Sequence, residues 1–402
     1  TYGGLTYSGL GRIAMYGKIT VGASNWHRGV GLWGTDGGAQ NDIVSAATSS
    51  DAIYIYGDAT GCTGGSAVYC NGIESYYTNG VNIAAVGDGG GVSLVGLIGN
   101  GTYTDGSQES DTIELNCTNV LAKSGAINFT GTRTTAGGTN YISFNHARGC
   151  TTAIGATSAI TTNYASYPTI SIINSSSPIT ITSDSTYTSG TTLKSTGDLV
   201  IQPSSASFAS AQTWTTGATF TGPFSSVVLG KPGTSGANQN SANISVSKLS
   251  SSGDIAVYGG IVTLSGGATT SENSGNGILI KATQDVLTGV GTSGARTPIT
   301  ITGTASTAPI YLWSNADASG TGAIVINNYT DITSQGGPIY LGGSAAATDT
   351  APTTYALNNG ATQCNGIVIG GSSAATDQIK FTTNGGDLTI RGKSTYDSAT
   401  CM

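Results

Sequence analysis

The chain has 402 residues, of which only 9% are charged, and a formal net charge of −7; soluble domains typically carry roughly 25% charged residues. A phosphate-binding surface needs clustered Lys and Arg, so the acidic balance excludes nucleic acid and an anionic membrane as partners. No run reaches 18 apolar residues, so no transmembrane segment is expected.

Gly, Ser, Thr, Ala and Asn stand where charges usually do, while short apolar triplets recur throughout. That combination predicts many short strands joined by tight turns, with Thr on outward strand faces and Gly or Asn where φ is positive. The first residue is Thr1, with no signal peptide, which is expected of a processed product or of a piece of something longer.

In chain order, Ile13-Ala14-Met15-Tyr16 and Ile19-Thr20-Val21 read as early strands. The stretch Asn25 to Gly34 holds Trp26, His27, Arg28 and Trp33, an aromatic patch with a cation. It reads either as a surface that stacks a glycan or binds a partner, or as the cap that covers an open solenoid end. Ile53-Tyr54-Ile55-Tyr56 is an alternating strand. Val92–Val95, Thr112–Leu115, Ile127–Thr130 and Tyr141–Phe144 continue the pattern less regularly. A soft boundary near Tyr164–Pro168 divides an irregular, capped part, residues 1–165, from a regular part, residues 166–402.

Six cysteines, Cys62, Cys70, Cys117, Cys150, Cys364 and Cys401, show no zinc-type spacing. Proximity in sequence suggests Cys62–Cys70, Cys117–Cys150 and Cys364–Cys401, which would place the chain in an oxidising compartment. Free buried thiols are the alternative.

Beyond the boundary the punctuation becomes periodic. Strands begin at Pro178, Gly197, Ser226, Gly253, Gly277, Pro298, Pro309, Gly322, Pro338, Gly366 and Gly386. Pro309-Ile-Tyr-Leu, Pro338-Ile-Tyr-Leu and Gly366-Ile-Val-Ile are 29 and 28 residues apart (338−309 and 366−338). A near-copy at such a period signals a solenoid. Side chains alternate along a strand. Ile310, Leu312, Ile339, Leu341, Ile367 and Ile369 should therefore form a buried column, with Tyr311, Tyr340 and Val368 outside. No helical periodicity appears over any window of a dozen residues. The expected fold is an all-β parallel β-helix of about 28 residues per coil.

The phrases Gly197-Asp198-Leu199-Val200-Ile201, Gly253-Asp254-Ile255-Ala256-Val257 and Gly385-Gly386-Asp387-Leu388-Thr389-Ile390 resemble the repeats of bacterial filamentous-haemagglutinin-type exoproteins and autotransporter passenger domains. The resemblance covers about residues 170–400. It implies a right-handed parallel β-helix, secretion, and a role in adhesion or in a surface fibre.

Catalytic signals are sparse. Asp105, Glu109, Asp111 and Glu114 put four acids within ten residues, either a Ca²⁺ site or a solvated loop. β-Helix pectate lyases use calcium with a basic residue, and Lys123 and Arg133 are nearest in sequence. No other cofactor and no catalytic residue is assigned. His27 and His146 fit no metal pair and no triad. Two function classes follow: an extracellular, cell-surface structural or adhesive protein that self-associates into a filament and contacts a glycan or receptor, or a polysaccharide-active β-helix enzyme. An enzyme should gather several carboxylates and a Lys or Arg along a groove. A fibre subunit should expose its coil ends, with Thr1 to Leu10 as the docking segment.

Overall fold

The structure is a computed structural model. It describes residues 10–20, 26–33, 41–62, 69–76, 80–99, 110–134, 141–144, 151–156, 172, 175–187, 191–214, 218–220, 222–233, 239–272, 275–292, 294–304, 306–317, 321–343, 354–357, 365–370 and 379–394. All regular elements among them are strands, and the named strands pair in parallel. The fold is a parallel β-solenoid. It divides into two compact units: Thr1–Ser205 with Gly217–Gly222, and Ala206–Thr216 with Pro223–Met402. The boundary expected near Tyr164–Pro168 lies outside the described residues.

In the first unit each strand pairs with the third one further along the chain, which gives three faces per coil. The first face stacks Ile13–Lys18, Ile53–Ala59, Val92–Ile98, Ile127–Arg133, Ile179–Thr182 and Leu199–Gln202. The second stacks Trp26–Trp33, Tyr69–Tyr76, Ile113–Leu115, Tyr141–Phe144 and Ser185–Tyr187. The third runs from Asn41–Ser45 through Val81–Ala85, Asn119–Ala122, Thr152–Gly155 and Thr191–Lys194 to Ala218–Phe220. Register follows the apolar alternation: Ile53, Val92, Ile127, Ile179 and Leu199 lie one above the other, all fully buried. A one-residue slip would turn that column to solvent and forfeit roughly 1.5–3 kcal/mol per side chain.

Where the first face turns into the second, Gly17, Gly57, Gly96 and Gly131 form a column of their own. A Cβ on Gly57 would lie 1.9 Å from the carbonyl oxygen of Gly72, and one on Gly96 1.8 Å from that of Thr112. The backbones of consecutive faces meet there, and only glycine leaves the room.

The second unit keeps the three-faced plan with shorter coils. Its first face stacks Val227–Leu229, Ile255–Gly259, Ile278–Ala282, Ile310–Ser314, Ile339–Gly343 and Leu388–Ile390. Successive starts are 255−227 = 28, 278−255 = 23, 310−278 = 32 and 339−310 = 29 residues apart. In the first unit the corresponding steps begin at 53−13 = 40, 92−53 = 39 and 127−92 = 35. The period of about 28 thus describes the first five strands of this face; the last step, 388−339 = 49, is longer, and the first unit opens with longer connections.

Ile310, Leu312, Ile339 and Leu341 are buried and in register, and Tyr311 and Tyr340 lie outside with ring centroids 5.5 Å apart. The third copy of the motif corrects the expectation. Ile367–Ile369 stacks on Ile324–Ile326 of the second face, not on Ile339–Gly343. Leu388 and Ile390 take the positions above Ile339 and Leu341. Ile367 is only half-buried and Ile369 is 47% exposed. The physical reason is an extra short strand, Ala356–Leu357, which pairs with Gly392–Lys393. It adds a side to the last coil, so equal spacing no longer means the same face.

One turn of this unit brings two carboxyl groups together. Asp254 accepts the amide hydrogens of Asn276 and Gly277 at 2.9 and 3.0 Å, and the Asn276 side-chain amide at 3.0 Å. Glu272 accepts the Gly277 amide at 3.2 Å. Burial, followed by the hydrogen bond and charge of Asp254, pushes Glu272 up to about 7. A carboxyl raised above its ordinary value of 4.5 stabilises the fold fully below that value, and the contribution is lost as pH rises through about 7. Urea unfolding at pH 5 and pH 7.5 should show this loss, at most about 1 kcal/mol after solvent screening. Glu272→Gln should remove that part of the pH dependence, and an unchanged slope in the variant would assign it elsewhere.

Candidate functional site

The residues with chemistry gather on the second face of the first unit. Ile73, Ile113 and Ile142 form its buried apolar column. One position along, Glu74 sits over Glu114, and Glu114 over Ser143. Parallel strands are about 4.8 Å apart, so two carboxylates in register would repel strongly if left bare. Both are buried, Glu74 fully and Glu114 to 3% exposure.

Each is compensated differently. Glu74 receives two hydrogen bonds from Arg28, one from Nε and one from Nη2 at 3.1 Å, a forked pair of the kind that holds a carboxylate in fixed geometry. Arg28 also lies over three aromatic rings, with its guanidinium carbon 5.0 Å from the Trp33 centroid, 5.8 Å from Tyr76 and 5.9 Å from Tyr69. Glu114 has neutral donors instead. The Tyr69 hydroxyl donates to Oε2, as does Asn71 Nδ2 at 2.8 Å, and Asn116 Nδ2 donates to Oε1 at 2.7 Å. Burial, and then the charge of Glu114, drives the Tyr69 phenol far above its ordinary value, so it remains a donor.

The network extends sideways. Asn71 Oδ1 accepts the amide hydrogen of Asp111 at 2.8 Å, and Ser143 Oγ donates to Asp111 Oδ2. Ser75 Oγ accepts the amide hydrogen of Asn116 at 2.8 Å and lies 2.7 Å from Thr118 Oγ1. The Cys62–Cys70 disulfide, with Cα atoms 6.4 Å apart, fixes the strand that carries Tyr69 and Asn71. It has the pairing expected from sequence.

Of the acidic group singled out from sequence, Asp111 and Glu114 belong to this network, and Asp105 and Glu109 lie outside the described residues. Among the described residues no three His, Cys, Asp or Glu side chains are arranged to hold a metal ion. The bases nearest in sequence have partners of their own: Lys123 pairs with Asp88 at 2.7 Å, and Arg133 donates to the carbonyl of Gly99 at 3.2 Å. The cation that meets Glu74 is Arg28. Of the aromatic patch, Arg28 points to Glu74, Trp33 remains 45% exposed beside it, and His27 lies half-buried on the same strand. Trp26 begins that strand. Cys117 is disulfide-bonded. Cys150, Cys364, Cys401 and His146 lie outside the described residues. Glu74 was not singled out from sequence, although Ile73-Glu74 and Ile113-Glu114 repeat a dipeptide 113−73 = 40 residues apart, the coil length of this unit.

The two glutamates are fully matched, while the buried Asn116 Oδ1 beside them has no hydrogen-bond partner among the described residues. Glu74 is matched by a cation, and Glu114 by three neutral donors. Both carboxylates are removed from water, which suits a clamp between coils better than a reaction centre. Exposed apolar side chains gather at the last coil of the second unit. Ile369, Leu388 and Ile390 are 47%, 44% and 41% exposed, whereas Ile326, Ile339 and Leu341 in the preceding coil are at most 1% exposed. No helix among the described residues is long and apolar enough to cross a membrane.

Comparison with protein-family models, with curated proteins and with solved structures returned no match.

Proposed function

We propose that this chain is an extracellular structural and adhesive β-solenoid, a subunit of a surface fibre that adds copies end to end. The observation that carries the reading is the exposed apolar edge of the coil that holds Ile369, Leu388 and Ile390. Its apolar side chains continue columns that are dry one coil earlier, and among the described residues its strands stand at the edges of their sheets, where a further parallel strand can add. The proposed occupant is the segment Thr1 to Leu10 of a second copy. That decapeptide is uncharged, alternates Tyr and Leu with small residues, and ends in Leu10, which is 87% exposed. A head-to-tail contact of this kind builds an open filament. The Cys62–Cys70 disulfide and the sparse charge support an oxidising, extracellular setting.

Sedimentation velocity over a wide concentration range tests the reading. Wild-type chain should shift to larger species as concentration rises. Leu388→Asp and deletion of residues 1–10 should each hold it as a monomer, of 40 kDa for the substituted chain, while leaving the circular dichroism unchanged. A wild-type chain that stays monomeric at millimolar concentration would end the proposal.

A polysaccharide-active enzyme is the second reading. The convergence of Glu74, Asp111, Glu114 and Arg28 favours it, since it gathers carboxylates with a cation. Against it stands their burial: each carboxylate is at most 3% exposed and already engaged by protein donors.

A further inference from the structure

The outward side of the first face in the first unit carries no charge along its two central columns. One column runs from Ala14 through Tyr54 to Val200, the other from Tyr16 through Tyr56 to Gln202. At the N-terminal end three tyrosines pack together, Tyr16 against Tyr54 at 5.6 Å and against Tyr56 at 6.1 Å between centroids. Tyr16 is 67% exposed, and Tyr54 and Tyr56 are half-buried. Further along, Asn128, Thr130, Thr180 and Thr182 follow on consecutive coils, all half-exposed.

Charged groups flank the aromatic end, and each is neutralised within the chain. Arg12 donates to the carbonyl of Asp51 at 3.0 Å, lies 3.8 Å from its carboxylate and covers the Tyr54 ring at 5.4 Å. Lys18 is 3.2 Å from Asp58. Ser93 Oγ donates to Asp51 at 2.9 Å. The rings are therefore held in place by their neighbours and by a rigid sheet, which lowers the ordering cost of binding.

We propose that this face binds a neutral polysaccharide laid across the coils, with sugar rings on Tyr16, Tyr54 and Tyr56 and hydroxyls on the Asn and Thr track. The chemistry selects that occupant. An aromatic face is electron-rich and attracts the polarised C–H bonds of a sugar ring. Hydroxyl and amide side chains match a polyhydroxylated chain. A charged ligand finds no unmatched countercharge on these columns, so an anionic glycan or an acidic peptide is disfavoured. The inference deepens the adhesive reading by naming its ligand class, and it does not depend on end-to-end assembly.

The test is affinity electrophoresis of the full chain through gels containing soluble β-glucan, xylan or mannan, with polygalacturonate and heparin as anionic probes. It is repeated on the Leu388→Asp chain to separate binding from assembly. At least one neutral polysaccharide should retard both chains, equally at low and high salt. The double variant Tyr54→Ala/Tyr56→Ala should bind at least tenfold more weakly, and Tyr311→Ala/Tyr340→Ala, an outward tyrosine pair in the second unit, should bind as wild type. If the first double variant does not fold, Tyr16→Ala alone should still weaken binding severalfold. Retardation by none of the neutral polysaccharides, retardation by the anionic ones only, or equal loss in both double variants would overturn the proposal.

Discussion

Arg28→Met should destabilise the chain by about 3–5 kcal/mol, the cost of leaving a buried charge without its partner. The reason is the asymmetry of the pair. Glu74 has no solvent-exposed side-chain surface, whereas Arg28 retains 13% of its own. Removing the guanidinium leaves a carboxylate with no water to turn to, directly over Glu114 in the ladder. Met keeps the aliphatic contacts with the surrounding rings, so the loss reports the charge and the hydrogen bonds more than the packing. The double variant Arg28→Met/Glu74→Met should recover most of the loss and end within about 1 kcal/mol of wild type, because an apolar pair of similar volume needs no compensation. Urea unfolding of wild type, both single variants and the double variant closes the cycle. A single-variant cost below about 1 kcal/mol would mean that Arg28 is not what makes Glu74 tolerable there.

The fold was legible because its determinants are local and repeated. Ile310-Tyr311-Leu312 and Ile339-Tyr340-Leu341 declare which side faces inward, and stacking then follows from their identity. The face assignment of Ile367-Val368-Ile369 was not legible, since it depends on the short strand Ala356–Leu357, whose two residues carry no periodic signal. The polar network was half legible. Arg28, Asp111 and Glu114 stand out as types in their neighbourhoods, but nothing local says that Arg28 reaches Glu74, 46 residues away. That contact is set by a coil length of about 40, which the longer connections of the first unit hide. The tyrosine platform was hidden in the same way: Tyr16 meets Tyr54 and Tyr56 only after Ile13 has been placed over Ile53.

Ile339→Asp and Leu388→Asp place the same charge in the same column, one coil apart. Ile339 is fully buried between Ile310 below and Leu388 above. An aspartate there has no cation in register with it, and the substitution also removes the apolar contacts that hold the two neighbouring coils together. It should cost more than about 3 kcal/mol, from the unpaired charge and the lost burial together. Leu388 is 44% exposed, so an aspartate there can turn to water. That substitution should cost about 1 kcal/mol or less in the isolated chain. Its effect should fall instead on association, where burial of Leu388 under an added strand would recreate the environment of Ile339. Unfolding midpoints measured at low protein concentration, beside sedimentation at high concentration, separate the two effects. Equal destabilisation by the two substitutions in the monomer would mean that the last coil is already covered, and end-to-end assembly through it would then fail.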